Sequence, residues 1–218
     1  MARLLFEKTG RAIWISHLDL MRLFQRAFKR AGLPLKHTQG FNPRPSVSIA
    51  LPLSVGVESR CELLDFDLDG FEVPVDEITH KLNESLVEGV RVCQTYAGGR
   101  KLRDLALLSC SVRLSYNDVV LPDRLNQISN LFQRDCLSVK KKSKNGLVEQ
   151  DIIPLIHELH ISAAEHDIVM DAVIHCQNPS MNPMQLAQAV QDHLPGCIPE
   201  QVFCCRNELF DNDKKIFR

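Results

Sequence analysis

The order of the predicted elements constrains the fold most, because one series of strands and helices occurs twice along the chain. In the first half, a strand, a helix, two strands, a second helix and a final strand follow one another. The predicted strands lie at residues 4–15 (one or two strands), 47–51, 60–68 and 90–96, and the helices begin after Ser16 and at Pro74. This order is typical of the split βαβ, or ferredoxin-like, arrangement.

The series begins again after Gly98 and Gly99, although its middle strands are less distinct. Strands are predicted at residues 107–116, 137–142, 167–176 and 201–206, helices at Pro122 and Asn182, a turn at 144–146, and short ambiguous segments at 151–156 and 158–163. We therefore predict an α+β fold of two tandem ferredoxin-like (split βαβ) units with antiparallel sheets. The predicted first domain covers residues 1–97, a linker covers 98–106, and the second domain covers 107–218.

The first predicted helix is amphipathic and basic. Ser16 fits the N-cap position, with Asp19 able to return the bond in a shortened capping box. Apolar side chains at helical spacing form one stripe, which consists of Leu20, Leu23, Phe24, Ala27, Phe28 and Ala31. The cations on the opposite side are Arg22, Arg26, Lys29 and Arg30. Gly32 and Pro34 then end the helix.

The segment after this helix, residues 36–45, combines cations, amides, one aromatic ring and two prolines. Pro43 and Pro45 restrict the backbone, so the segment can present its side chains with little loss of entropy on binding. Two interpretations stay open. The segment is either a connecting loop beside a solvated helix face, or it forms one anionic-ligand surface together with the helix.

The charge distribution favours the second interpretation. The formal net charge of the chain is −1, yet residues 1–45 carry nine Lys and Arg against two acidic residues. Such asymmetry is typical of proteins that bind nucleic acid or another polyanion. Cations would contact phosphates, amide and imidazole groups would bond base or ribose edges, and Phe41 would stack on a base. The predicted RNA-binding residues are His17, Arg22, Arg26, Lys29, Arg30, Lys36, His37, Gln39, Phe41, Asn42 and Arg44.

Two further basic features allow more than one interpretation. His17, at the start of the helix, can cap it or bond a phosphate. As a neutral imidazole among cations, it can instead act as a general base toward a ribose 2′-hydroxyl, which is the chemistry of metal-free RNA cleavage. The lysine run at Lys140, Lys141, Lys142 and Lys144 either extends the basic surface or is merely solvated.

The cysteine, histidine and aspartate spacings do not favour a metal or a cofactor. None of the eight cysteines forms a Cys-x-x-Cys pair, so we expect reduced, mostly buried thiols. His157 and His160 lack the neighbouring ligands that zinc requires. Asp65, Asp67 and Asp69 are spaced as in a calcium loop, but their flanks predict a strand whose exposed face is acidic. We therefore predict no metal site and no cofactor.

The N-terminal residues lack the apolar core of a signal peptide. No run of the sequence approaches the ~18–20 apolar residues that a membrane-spanning helix needs. We therefore expect a cytoplasmic protein without a membrane partner.

Five segments within the first 69 residues carry a resemblance to a known family. They are Phe6-x-Lys8-x-Gly10, Trp14-Ile15-Ser16-His17-Leu18-Asp19, Arg26-Ala27-x-Lys29-Arg30-Ala31-Gly32-Leu33-Pro34, Gln39-Gly40-Phe41-Asn42-Pro43-x-Pro45 and Ala50-Leu51-Pro52-Leu53-x-Val55-Gly56-Val57-Glu58-Ser59. These segments resemble the radical-SAM-linked protein family, an uncharacterised bacterial family whose members occur alone or fused C-terminal to a radical-SAM module. The resemblance implies an accessory role beside a radical-SAM enzyme, with RNA modification as one setting. The chain lacks Cys-x-x-x-Cys-x-x-Cys, which fits a partner of such an enzyme and not the catalyst.

The sequence supports three functional hypotheses. The first is a non-catalytic RNA-binding accessory protein. The second is a metal-independent endoribonuclease with His17 as the base. Tandem ferredoxin-like units with a His and a basic helix are similar to the CRISPR repeat-processing endoribonucleases, but the glycine-rich loop of those enzymes is missing from residues 197–210, which argues against a shared mechanism. The third is a protein-interaction module that docks a radical-SAM enzyme.

Overall fold

The computed structural model describes residues 1–70, 73–143 and 146–218, and the chain divides into two compact units. The first unit comprises Met1–Asp104 together with Phe217–Arg218, and the second comprises Leu105–Ile216. The predicted linker at 98–106 spans this division. The predicted second domain includes residues 217–218. In the structure these two residues belong to the first unit, where Phe217 is buried.

The described part of the first unit contains four strands and two α-helices. In chain order these are β1 (Ala2–Lys8), α1 (His17–Arg30), β2 (Val47–Ile49), β3 (Val57–Phe66), α2 (Val75–Ser85) and β4 (Val90–Ala97). Strand β1 pairs with both β3 and β4, and β2 pairs with β3, all antiparallel. The order across these strands is therefore β4-β1-β3-β2.

Aromatic side chains hold α1 against this sheet. The Phe24 ring of α1 meets the Phe6 ring of β1 edge-on, with the ring centroids 4.7 Å apart. One turn later, the centroid of Phe28 lies 4.8 Å from that of Phe66 on β3. Such pairs add about 0.5–1.5 kcal/mol beyond the apolar area they bury. The predicted stripe faces the core: Leu20, Phe24, Ala27 and Phe28 are buried, while Leu23 and Ala31 are half-buried.

The segment before α1 differs from our prediction of strand structure up to residue 15. Strand β1 ends at Lys8, and Gly10–Trp14 form a 3₁₀ helix. The Lys8 side chain is buried, and its ammonium donates hydrogen bonds to the carbonyl oxygens of Ile13 (3.1 Å) and Ile15 (3.2 Å). A buried cation needs hydrogen-bond acceptors in place of water. The backbone after Lys8 therefore turns to bring carbonyl oxygens to the ammonium and does not continue the strand.

The acidic exposed face predicted for the third strand is wrong at Asp65. Asp65 is only 7% exposed and Arg3 of β1 is 2% exposed. The Arg3 Nε lies 2.5 Å from Asp65 Oδ1, and Nη2 lies 3.0 Å from Oδ2, so the pair is bidentate. The charge alternation that we read as a solvated face therefore includes one half of a buried ion pair.

Gly89, just before β4, lies where the chain has no room for a side chain. Its φ is +84°, and a Cβ there would meet the Thr9 carbonyl oxygen and lie 2.9 Å from the Ala12 Cβ. We expect Gly89→Ala to lower the free energy of unfolding by about 2 kcal/mol or more, since left-handed strain of roughly 1–2 kcal/mol adds to the clash. Urea denaturation followed by circular dichroism measures the loss.

Gly98→Ala is the matched control for this prediction. Gly98 has a similar φ of +76°, but nothing lies within 4 Å of a Cβ at that position. It should therefore show the backbone strain alone. Equal losses for the two variants would contradict the close approach between Gly89 and the 3₁₀ segment.

The described part of the second unit contains six strands and two α-helices. In chain order these are β5 (Leu107–Ser115), α3 (Pro122–Leu131), β6 (Ser138–Ser143), β7 (Gly146–Asp151), β8 (Ile156–Ala163), β9 (Asp167–His175), α4 (Met184–His193) and β10 (Gln201–Phe210). Strand β5 pairs with β10 and β9, and β8 pairs with β9, all antiparallel. The order is β10-β5-β9-β8. Strands β6 and β7 pair with each other as a separate hairpin.

The ambiguous residues 151–163 are now assigned. Ile153–Leu155 form a 3₁₀ helix and β8 follows it. A register shift between Ile156 and Glu158 breaks the pairing with β9, and this interrupts the alternation that sequence reasoning relies on. The predicted turn at 144–146 lies mostly outside the described residues. The chain as described is a mixed α+β fold with antiparallel strand pairs.

All eight cysteines lie within the described residues, and none of them forms a disulfide. Burial raises the pKa of Cys110 on β5 and raises that of Cys204 on β10 to about 12. Cys93 and Cys136 are exposed and Cys205 is half-buried, whereas the buried members are Cys61, Cys110, Cys176, Cys197 and Cys204. Most of the cysteines thus occupy core positions, where they pack as small apolar side chains.

Candidate nucleic-acid interface

Helix α1 begins with the predicted cap. The Ser16 Oγ accepts a hydrogen bond from the Asp19 backbone N–H at 3.2 Å. The same hydroxyl donates to the Asp19 carboxylate at 2.7 Å, so Asp19 returns its bond to the side chain of Ser16 and not to its backbone. These bonds set the start of the helix and hence the direction in which its cations project.

The outward face of α1 carries Arg22, Arg26 and Lys29, all exposed. Arg22 pairs with Asp19 at 2.9 Å. The Ser16 hydrogen bond, together with Arg22, lowers the pKa of the Asp19 carboxyl below its ordinary value. Arg26 and Lys29 form no ion pair with the described residues. Two of the three charges therefore stay available to an external anion.

Arg30 is placed differently from the other predicted cations. Its guanidinium donates a hydrogen bond to the carbonyl oxygen of Ser85, the last residue of α2. A cation at this position satisfies one of the carbonyls left unpaired at a helix C-terminus. Arg30 thus joins the two helices of the first unit.

The predicted loop is a short hairpin, residues 36–46. The Thr38 N–H donates to the Arg44 carbonyl at 2.9 Å, and the Ser46 N–H donates to the Lys36 carbonyl at 2.7 Å. At its base, the Lys36 N–H donates to the carbonyl of Asp67 at 2.8 Å. The hairpin is thereby fixed to the residues that follow β3.

The tip of this hairpin projects a bare aromatic ring. Phe41 is fully exposed, and it stands between Gly40, whose φ is +131°, and Asn42. A positive φ of this kind favours glycine and reverses the chain direction. The remaining predicted residues of the hairpin are all exposed, namely Lys36, His37, Gln39, Asn42 and Arg44.

A groove of about 470 Å³ joins the helix to the hairpin. It is lined by Gln25, Phe28, Lys29, Gly32, Leu33, Pro34, Leu35, His37 and Pro45. The groove brings Lys29 of α1 and His37 of the hairpin to one cavity, which the prediction of a shared surface requires. We call the outward face of α1 (Arg22, Arg26 and Lys29) together with residues 36–46 the helix–hairpin surface.

Sequence reasoning missed several residues of the groove, above all Gln25, Leu33, Pro34 and Pro45. Gln25 was hidden because it belongs neither to the apolar stripe nor to the cations. The usable signal was Gly32, whose φ of +67° turns the chain at the end of α1. A helix that stops at Gly and Pro beside a second proline-rich turn leaves a concave corner between the two segments.

His17 stands apart from this groove. At a rise of 1.5 Å per residue, His17 lies about 18 Å from Lys29 along the helix axis. It is half-buried, and its Nδ1 is enclosed without a hydrogen-bond partner among the described residues. The structure therefore groups His17 with the start of α1 and not with the hairpin.

The other candidates named from the sequence form no comparable site. His157 and His160 lie exposed on β8, and the described residues contain no cluster of three or more His, Cys, Asp or Glu able to hold a metal ion. Lys141 donates to the carbonyl of Ser180 at 2.8 Å, while Lys144 lies outside the described residues.

No helix in the described ranges is both long and apolar enough to span a bilayer.

Comparison with known proteins places the chain in a family. Residues 2–195 match the family described as "Uncharacterized protein conserved in bacteria (DUF2344)". The chain belongs to this family. No curated protein matches the DUF2344 chain. The description supports the bacterial family resemblance, whereas the link to radical-SAM enzymes stays a prediction.

A solved structure of very low sequence identity resembles the DUF2344 chain in fold alone. One chain in the crystal structure of a Cbf5-Nop10-Gar1 complex aligns with a TM-score of 0.53 and 6% sequence identity, covering 95% of the DUF2344 chain and 48% of its own length. The DUF2344 chain thus spans about half the length of that protein. An unknown protein from Galdieria sulphuraria aligns at 12% identity over 94% and 96% of the two chains, but its TM-score of 0.26 is too low to indicate a shared fold.

Proposed function

We propose that this DUF2344 protein is a non-catalytic RNA-binding accessory protein that uses the helix–hairpin surface. The observation that carries the proposal is a groove lined by Lys29 of α1 and His37 of the hairpin, with further exposed cations on the same two segments and a fully exposed aromatic ring at the hairpin tip. Arg26, Lys29, Lys36 and Arg44 form no ion pair with the described residues, and Phe41 projects from the adjoining hairpin tip. Exposed cations that form no close ion pair within the protein attract a polyanion.

The surface combines the two interactions that bind single strands of nucleic acid. Arginine and lysine neutralise phosphates and release counterions, which makes affinity fall steeply with salt. An exposed phenylalanine offers a face on which any base can stack. Neither interaction depends strongly on sequence, so the proposal concerns RNA as a class.

Phe41→Ala tests the stacking contribution. We expect it to weaken binding of a fluorescently labelled single-stranded RNA about tenfold, because stacking on an aromatic side chain contributes roughly 1–3 kcal/mol per base. Fluorescence anisotropy at several salt concentrations measures the affinity. The slope against salt should not change, since no phosphate contact is removed.

Phe203→Ala is the control for that experiment. Phe203 is the other exposed phenylalanine among the residues that the structure describes; it lies on β10 of the second unit, where the Arg113 guanidinium lies 4.2 Å from the centre of its ring. Its removal should leave RNA affinity unchanged. Equal weakening by both variants would indicate that the hairpin tip has no special part in binding.

The finer assignment of the fold is also a proposal. We propose that both units are ferredoxin-like. In support, β4-β1-β3-β2 in the first unit and β10-β5-β9-β8 in the second arise from the same order of strands and helices along the chain. In the second unit the β6–β7 hairpin is inserted after the first helix.

A second candidate function, docking of a protein such as a radical-SAM enzyme, is favoured by exposed apolar side chains next to the basic helix. Trp14 is 69% exposed and Leu18 is 67% exposed. Co-purification that survives nuclease treatment and is lost on charge reversal in α1 would favour docking over RNA binding.

The ribonuclease alternative is tested by incubating labelled RNA with the protein and a chelator, using His17→Ala as the comparison.

A further inference from the structure

We infer that the groove between α1 and the hairpin holds one unpaired base of the bound RNA, with the phosphate next to that base on Lys29. This inference rests on the proposed RNA-binding function and adds the form of RNA that the surface selects. On this inference the protein binds RNA that has an unpaired base, either in a single strand or displaced from a duplex.

The size and lining of the groove fit a flat heterocycle. Its volume of about 470 Å³ lies within the ~300–1,000 Å³ of small-molecule sites. Its lining is largely apolar: Phe28, Leu33 and Leu35 are buried side chains, and Pro34 and Pro45 are more exposed. A phosphate alone gains nothing from an apolar lining, whereas a base loses contact with water when it occupies one.

Three polar residues that line the groove supply hydrogen-bonding groups that the protein itself does not use. Gln25 carries both a donor and an acceptor, His37 carries a ring nitrogen of each kind when neutral, and Lys29 is a cation. None of the three side chains forms a hydrogen bond or ion pair with the described residues. Amide and imidazole groups can bond the edges of an unstacked base, and the ammonium can take its phosphate.

The concave shape argues against a duplex as the preferred ligand. Proteins read paired bases by inserting a helix or strand into a groove of the nucleic acid. Here the protein presents a groove and not a protruding element, so a base must leave its stack to enter the groove. A single strand offers such a base without the cost of unpairing.

The direct test compares two small probes by NMR on the full-length protein. Adenosine 5′-monophosphate should shift the backbone amide signals of Gly32, Leu33 and His37, whereas ribose 5-phosphate at the same concentration should not. Equal shifts with both probes, or none with adenosine 5′-monophosphate, would overturn the inference.

The matching binding test blocks the groove. We expect Gln25→Trp to lower the affinity for single-stranded RNA at least fivefold. Its affinity for blunt duplex RNA, which the wild-type protein should bind less tightly than a single strand, should stay unchanged. Gln191→Trp, on an exposed position of α4, is the matched control, and His37→Ala serves as a second variant should Gln25→Trp fold poorly.

The outcomes separate this inference from the proposed function. Binding of single-stranded and duplex RNA with equal affinity, unchanged by Gln25→Trp and His37→Ala, overturns the base pocket and leaves electrostatic RNA binding in place. Failure of the wild-type protein to bind any RNA at low salt overturns both.

Discussion

Arg26→Glu combined with Lys29→Glu should weaken binding of single-stranded RNA on the order of 100-fold at low salt, since each tenfold loss corresponds to about 1.4 kcal/mol. Both side chains are exposed, belong to the helix–hairpin surface and lack ion-pair partners in the described residues. Reversal replaces two attractive contacts by two repulsive ones. The slope of log affinity against log salt should fall by about 1.4, because each phosphate contact on a single strand contributes about 0.7.

Reversing Arg26 and Lys29 tests the surface more cleanly than reversing Arg22 and Arg26. Arg22 is engaged by Asp19 at 2.9 Å, so its reversal would also disturb the start of α1. Arg134→Glu with Lys215→Glu is the control, because it makes the same change in net charge at exposed positions of the second unit. Similar weakening by both double variants would show that only overall charge matters.

Asp65→Asn should lower the free energy of unfolding by about 3–5 kcal/mol, the usual cost of removing one partner from a buried ion pair. The amide keeps the shape of the carboxylate but leaves the Arg3 guanidinium buried without a counter-charge. Arg3 also lies 5.6 Å from the centre of the Phe217 ring, so the loss would extend to the residues that close the first unit. Urea denaturation measures the change.

Two further variants make this test specific. Arg3→Met combined with Asp65→Leu should recover most of the lost stability, because an apolar pair of similar volume replaces a buried charge pair at little cost. Asp118→Asn changes an exposed carboxylate in the second unit and should have almost no effect. A neutral outcome for Asp65→Asn would contradict the buried pairing with Arg3.

Local patterns predicted the elements well where one face of an element is buried. The α1 stripe of Leu20, Phe24 and Phe28 has helical spacing, and this face packs against the sheet. Strand β8 could not be predicted in the same way, because its register shift breaks the alternation. The prediction of strand structure up to residue 15 failed at Lys8. The sequence does not distinguish a lysine whose side chain turns inward at the end of a strand from an exposed surface cation.

The candidate site was predictable in its charges and not in its shape. Arg26 and Lys29 are exposed as helical spacing requires. The groove, however, arises where Gly32 turns the chain and the hairpin folds back on residues near Asp67, and such long-range contacts leave no local pattern. For the same reason, the bond from Arg30 to Ser85 could not be foreseen.

Titration of ¹⁵N-labelled protein with a short single-stranded RNA tests the central claim most directly, because the backbone amide signals report every contacted segment at once. The account predicts that signals from the outward face of α1 and from residues 36–46 shift together, with one affinity. Shifts confined to the second unit, or to only one of the two segments, would contradict a single RNA-binding surface formed by helix and hairpin.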